Sequence, residues 1–199
     1  MARKAVAQEL SRERILEEAR GLFVTHGYRS LTMRSIAKTM GYSHGALYYH
    51  FKEKAELFHA LVSDDFNMLL SRSHDIIGRT RLGEMAQLER LMLEFIKFGL
   101  ENPNHYEIMF MIKDPELQQY SRTEKAQCLD LFATVVRAIL TKRADADDRI
   151  YSAPWSLFMS MHGFISYSIN FNQTYDEVKK LAEAHVKYLC EGLLGRTVS

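Results

Sequence analysis

Cysteine is nearly absent: Cys128 and Cys190 are the only two in 199 residues. That is too few for a disulfide framework or a four-cysteine zinc site, and a reducing cytoplasm is the expected compartment. The three prolines and ten glycines exclude collagen-like and proline-rich classes. The N-terminus lacks the apolar core of a signal peptide. The longest charge-free stretch, residues 150–175, holds Pro154, His162, Asn170, Asn172, Gln173 and five serines, too much polarity for a lipid-facing helix, so no membrane partner is expected. The sequence also lacks a P-loop, a strand-linked GxGxxG, a GxSxG elbow and an HExxH pair. No His, Cys and carboxylate cluster has metal-ligand spacing. The chain is therefore expected to be no enzyme, to need no cofactor or metal, and to keep its two thiols inert.

What is present is an ordinary folding composition, 47% hydrophobic and 26% charged. The net charge of +1 hides an asymmetry. Residues 1–54 carry ten Lys and Arg against five Glu, a net of +5, while the remainder carries sixteen against twenty, a net of −4. A cationic quarter on an anionic bulk points to a polyanionic partner for the first 54 residues.

Apolar residues recur with a helical period almost throughout, and no segment alternates with period two. Ile15, Ala19, Leu22 and Phe23 form a stripe between Ser11 and a stop at Gly27. Met33, Ile36, Ala37 and Met40 follow Thr32 as N-cap, and a very short third helix starts after Ser43. A fourth helix runs from near Glu53 through Leu57, Leu61 and Leu69 towards Ser71, without a linker. Stripes over Met85, Leu88, Met92, Phe95, Ile96 and Gly99, and over Cys128, Leu131, Phe132, Val135 and Ile139, predict two long amphipathic helices. The charge-free helix from Ala153 is expected to be buried on several sides, as a central or interface helix. Thr174 and Glu177 have capping-box spacing before a final stripe of Val178, Leu181, His185, Tyr188 and Leu189. Breaks are expected near 78–83, 102–104, 114–115 and 144–148. The predicted fold is all-α, with an N-terminal helix-turn-helix domain at 1–54 joined by a continuous helix to a larger helical domain at 55–199.

Thr32 to Phe58 is the informative stretch. Two short helices around a turn containing Gly41 make a helix-turn-helix, whose second helix enters the major groove of DNA. Ser43, His44, Gly45, Ala46 and Tyr48 are small or hydrogen-bonding and would face that groove, with Leu47 and Phe51 as inward anchors. Thr32, Arg34, Tyr49, His50 and Lys54 suit phosphates. Between His44 and His50 the helix has no Arg or Lys, so direct base readout is modest, and DNA shape carries part of the specificity.

The segments ILEEARGLFVTHGY, LTMRSIAKTMGYS and HGALYYHFKEKAELF, in order from Arg14 to Phe58, resemble the tetracycline-repressor (TetR) family of bacterial transcriptional regulators. The resemblance implies a three-helix domain that binds DNA and a divergent helical domain that dimerises and holds a small-molecule pocket. It also implies phosphate contacts at Thr32, Arg34, Tyr49, His50 and Lys54, and an approach to bases by Ser43, His44, Gly45 and Tyr48.

Asn102-Pro103, Tyr106, Met109-Phe110, Trp155 and His162-Gly163 are similar to the regulatory domain of a TetR subgroup named for its Trp and His-Gly. That resemblance implies that the last two helices of each subunit form an intermolecular four-helix bundle. Phe95, Met109, Phe110, Phe132, Trp155, Met159 and His162 are the residues expected near a cavity, among the ten Met and eleven Phe that are mostly core. The expected function is a repressor that binds a palindromic double-stranded operator as a homodimer and is released by a largely apolar effector, such as a fatty acyl, aromatic or polycyclic compound. The alternative is a ligand-independent DNA-binding or architectural protein, or an activator.

Overall fold

Ser11 opens the first helix by accepting the Arg14 N–H on its hydroxyl at 3.2 Å, and the next two helices start in the same way. The structure is a computed structural model that describes residues 10–79, 83–113, 118, 121–142 and 149–195. Helix α1 spans Arg12–His26 and ends at Gly27, whose φ of 74° is costly for a side-chain-bearing residue. Helix α2 spans Met33–Thr39 and α3 His44–His50. Thr32 and Ser35 cap α2 reciprocally, side chain to backbone N–H, at 3.0 and 2.9 Å. Ser43 Oγ accepts the Ala46 N–H and starts α3. These caps satisfy amides that a helix cannot pair internally.

Helix α4, Lys54–Arg79, is longer than the sequence suggests, running two turns beyond Ser71. Leu57, Phe58, Leu61 and Val62 complete the core of the three-helix head with Ile15, Ala19, Phe23, Ile36, Leu47 and Phe51, all essentially excluded from water. Phe66 and Leu69 on the same helix belong to the larger domain, so one apolar core runs unbroken through α4.

The larger domain is built around α5, Met85–Glu101, which packs against α4 and against every helix that follows. Gly99 permits its close approach: a Cβ there would lie 2.7 Å from Ile165 Cγ2 and 3.0 Å from Tyr106 Cδ2. Helix α6, Pro103–Tyr106, starts with Pro at its first position and passes into a π-helical turn at Glu107–Met111. Helices α7, Arg122–Leu140, α8, Arg149–Asn170, and α9, Tyr175–Leu194, complete the fold. The described residues contain no strand, as expected, and no helix among them is long and apolar enough to cross a membrane. The breaks expected at 114–115 and 144–148 lie outside the described residues.

Two expectations about the last helices need correction. Helix α8 begins at Arg149 rather than Ala153 and carries Pro154 inside it. Of the two roles expected for it, central or interface, it is not the central one: Pro154, Leu157, Met161 and Ile165 face the core, while Tyr151, Met159, Tyr167 and Phe171 are each more than half exposed. On α9 the buried face is Val178, Ala182, Val186, Cys190 and Leu193. Leu181 and Tyr188, part of the expected apolar stripe, are 61% and 71% exposed. Both helices carry a second apolar face pointing away from their own core.

Candidate nucleic-acid interface and effector site

The reading helix α3 is held by its inward anchors, and its outer side is left open. Leu47 and the C-cap residue Phe51 are fully buried, whereas His44, Gly45, Tyr48 and Tyr49 are exposed, and Ala46 and His50 are half-buried. Tyr49 is 87% exposed, so neither adjacent tyrosine serves as core. The His44 and Tyr48 rings sit 4.4 Å apart on one side, and Tyr49 meets His50 edge-on at 5.2 Å. Around Gly45 an added Cβ would meet nothing, so backbone and partner can approach closely there.

Arginines that the sequence reading passed over fix this helix. Arg12 Nη1 donates to the His50 carbonyl at 3.0 Å while its guanidinium lies 4.1 Å over the Phe51 ring. Arg14 Nη1 donates to the Tyr42 hydroxyl at 2.9 Å and steadies the turn. Thr32 and Arg34 are exposed at the start of α2. Lys54, expected at a phosphate, has intramolecular partners in the chain alone. Its ammonium donates to the Tyr28 and Leu31 carbonyls at 2.7 and 2.8 Å and sits 3.9 Å from the Tyr28 ring centre. It ties α4 to the loop between α1 and α2.

A buried ion pair joins this head to the larger domain. Arg20 on α1 donates from Nη2 to Asp65 Oδ1 on α4 at 2.6 Å, with Nε 3.4 Å from Oδ2. His105 of α6 places Nδ1 2.8 Å from the same Asp65 oxygen. Asp65 is fully buried and Arg20 nearly so. Arg20 Nη1 also donates to Glu17 Oε2 at 2.5 Å, so the buried charges are matched, and removing Arg20 would leave the Asp65 carboxylate uncompensated by a guanidinium. Two clefts flank the junction: one of about 440 Å³ lined by Glu17, Glu18 and Glu101 among others, and one of about 360 Å³ between Phe23 and Met111.

Behind α6 lies a cluster of rings. Phe95 meets Tyr106, Phe110 and Phe158 with centroids 5.6–5.8 Å apart, and Phe158 stacks on His162 at 6.2 Å. Tyr106 Oη lies 2.7 Å from His162 Nδ1, and Ser166 Oγ lies 3.4 Å from His162 Nε2. Phe66 of α4 touches Phe110 edge-on at 5.4 Å. Of the seven residues expected at a cavity, Phe95, Phe110 and His162 thus converge. Met109 is fully buried, and Phe132 packs half-buried against the core. Trp155 and Met159 do not point inward: they are 50% and 57% exposed on the outer face of α8. Trp155 instead borders a groove of about 570 Å³ with Leu129, Arg137 and Tyr151. Tyr106 and Phe158 were missed as site residues, although Phe158 lies one turn before His162 on α8 and so shares its face.

Burial controls the titration of this region. It drives the Tyr106 hydroxyl well above its ordinary range and the Cys128 thiol to about 12. His162 is lowered, first by burial and then by the charge of Lys125, and Lys125 is itself lowered by burial. At neutral pH the His162 ring is therefore uncharged, one nitrogen facing the Tyr106 hydroxyl and the other Ser166.

Comparison with known proteins agrees with this geometry. A family model described as "Bacterial regulatory proteins, tetR family" matches residues 15–61, and one described as "Tetracyclin repressor-like, C-terminal domain" matches residues 88–189. The HTH-type transcriptional repressor AcnR of Corynebacterium glutamicum is 29% identical over 167 residues, covering 78% of this chain and 80% of that protein. The fold is shared with the fatty acid degradation regulator FadR of Bacillus halodurans, with a TM-score of 0.75 and 17% identity over 99% of both chains. It is also shared with the transcriptional regulator FadR of Bacillus subtilis, a complex with stearoyl-CoA, with a TM-score of 0.72 and 18% identity over 92% of this chain and 99% of that one. With its exposed reading helix, head-to-body ion pair and two matched domains, the chain belongs to the TetR family and is a DNA-binding transcriptional regulator, not an enzyme.

Proposed function

We propose that the protein represses transcription by binding a palindromic operator as a homodimer, and that a small, largely apolar effector seated at the aromatic cluster releases it. The compartment for that role is the cytoplasm, with residues 1–54, completed by the first two turns of α4, as reading head and the rest of 55–199 as regulatory and dimerisation domain. His44, Gly45, Ala46 and Tyr48 approach base edges, with Ser43 at the groove mouth. Thr32, Arg34, Tyr49 and His50 take phosphates. Lys54 acts mainly by holding the frame that presents them.

The observation that carries this reading is the adjacency of His105 and Tyr106 on one short helix. His105 reaches Asp65 and thereby Arg20 of the head, while Tyr106 reaches His162 within the ring cluster. A ligand that displaces Tyr106 must turn α6, and α6 carries His105 with it. The ligand then favours one head orientation by its differential affinity, with a coupling of typically ~1–3 kcal/mol. The exposed apolar faces of α8 and α9 supply the surface for a second copy, related by two-fold symmetry. The meeting of Tyr106 with His162 also supports the Trp and His-Gly subgroup, because Asn102-Pro103 sets the start of α6 and so the position of Tyr106.

One observation favours the ligand-independent reading: Phe110 and Phe158 stand between Phe95 and His162, so the cluster is closed by its own rings. A screen of apolar metabolites for operator release, read by gel shift and by the Trp155 fluorescence, decides between them. Release that is lost in Phe110→Ala supports the effector reading. Binding at the cluster with no change in operator affinity supports the ligand-independent one.

A further inference from the structure

The two buried anchors of the reading helix both lie towards its C-terminal end: Leu47 and the C-cap Phe51 are fully excluded from water. The N-terminal end lacks such an anchor, since Ser43, His44 and Gly45 are exposed and Ala46 is half-buried. The turn before it passes through exposed Gly41, whose φ of 77° suits glycine. Two arginines of the first turn of α1 reach the two ends of α3. Arg12 donates to the carbonyl of His50, the last residue of α3, and lies over the Phe51 ring. Arg14 donates to the hydroxyl of Tyr42, which immediately precedes the N-cap Ser43, and its guanidinium lies 5.5 Å from the Tyr42 ring centre. The Tyr42 backbone is tied to α2 through the Ala37 carbonyl at 2.9 Å, so its side chain forms the link to α1.

A helix of seven residues is about 10 Å long. Held at Leu47 and Phe51, it is displaced most by a tilt at the opposite end, where His44 and Gly45 approach base edges. The His44 and Tyr48 rings sit 4.4 Å apart and move with it. A hydrogen bond to a base edge requires a donor–acceptor distance of about 2.7–3.2 Å. Attraction to phosphates is independent of sequence and far less sensitive to orientation. Loss of the N-terminal hold therefore costs base discrimination and spares the general affinity for DNA. The bond from Arg14 to Tyr42 is charge-assisted, which suits it to that hold.

We propose that Arg14 and Tyr42 are specificity-determining positioning residues: their guanidinium–hydroxyl bond fixes the N-terminal end of α3, and with it the register of His44 and Gly45 in the major groove. Arg12 completes the arrangement by holding the pivot at His50 and Phe51. Arg14 and Tyr42 act through α3 and not by touching DNA. This deepens the DNA-binding reading above and rests on its placement of α3.

The test is gel-shift titration of the full-length protein on two duplexes across ionic strength: the one that the native protein enriches most from a random pool, and a scrambled duplex of the same length. Tyr42→Phe removes the hydroxyl and keeps the ring. It is expected to weaken binding to the enriched duplex about tenfold, a difference of about 1.4 kcal/mol, and to leave the scrambled-duplex affinity and the salt slope unchanged. Arg14→Gln is expected to lower the ratio of the two affinities by the same factor, and the double variant to lower it no further. Equal losses on both duplexes, as a phosphate contact or a weakened fold would give, overturn the proposal. No loss on either duplex, or additive losses in the double variant, also overturns it. Where Arg14→Gln fails to fold, the near-isosteric Tyr42→Phe decides alone. A native protein that enriches no duplex refutes the groove placement and this proposal together, whereas a native preference untouched by Tyr42→Phe refutes this proposal alone.

Discussion

His105 Nδ1 lies 2.8 Å from Asp65 Oδ1, the same oxygen that Arg20 reaches from α1 at 2.6 Å. Three elements, α1, α4 and α6, therefore meet at one buried carboxylate. The next residue, Tyr106, belongs to a different neighbourhood, 2.7 Å from His162 on α8. A single peptide bond thus separates a contact with the reading head from a contact with the aromatic cluster.

Asp65→Ala should be severely destabilising. Among the described residues it leaves the buried Arg20 only its bond to the exposed Glu17, 2.5 Å from Nη1, a loss of about 3 kcal/mol in urea unfolding. His105→Ala removes a single half-buried contact and should cost about 1 kcal/mol. Its larger effect should be on communication: operator affinity is kept, while its dependence on effector shrinks. Unfolding curves and gel shifts with and without effector measure the two quantities separately.

Lys54 and Arg34 should part company, although the sequence gives both the same role. Lys54→Ala loses two charge-assisted hydrogen bonds to carbonyls and should lower stability by about 1–3 kcal/mol, with little change in the salt dependence of binding. Arg34 is exposed, with no ion pair among the described residues. Arg34→Ala should leave stability intact and flatten the salt slope by about one unit per subunit, read from operator titrations across ionic strength.

The dimer face should respond at Leu181 and Tyr188, which are exposed, and not only at Leu189, which packs against its own core. Leu181→Arg should give a folded monomer by sedimentation, with operator affinity reduced more than about tenfold because one head reads only a half-site. Leu189→Arg should instead reduce helicity and solubility, as a charge forced against the core.

These distinctions show where sequence was readable. Thr32, Ser43 and the Thr174-Glu177 pair were legible because caps act within three residues, and Glu177 does receive the Thr174 N–H at 2.7 Å. The all-α class and the exposed side of α3 followed from local period. Periodicity marked the outer faces of α8 and α9 as apolar but not which neighbour each residue meets; Leu181 and Tyr188 share the stripe of Val178 and yet point away from the chain's own core. The carbonyl partners of Lys54, at Tyr28 and Leu31, were not legible because they belong to a backbone that a sequence does not display. The junction was invisible for a related reason: Arg20, Asp65 and His105 lie 45 and 40 positions apart, and no local pattern joins them.

Acid should weaken the fold through His162. Its imidazole is held below its ordinary value of 6.5 by burial first and by Lys125 second. The unfolded chain then binds the proton more readily than the native one, so stability is full above about pH 6.5 and falls as pH drops through the window beneath it. Thermal unfolding from about pH 8 to 5 should show that decline, and His162→Asn should flatten it. Glu177, held low by its bonds to Thr174, adds its own loss at more acidic pH, which the His162 variant should retain.

The most direct test of the central claim is selection of random duplex DNA by the full-length protein, followed by footprinting and by the mass of the complex in solution. The account predicts enrichment of an inverted repeat whose half-sites lie at least one helical turn apart, roughly 34 to 36 Å or a multiple, protected by a dimer. It also predicts that His44→Ala relaxes preference at one base pair in each half-site, at a cost of roughly 1–3 kcal/mol. Enrichment of no sequence, or protection of a non-palindromic site by a monomer, would contradict it.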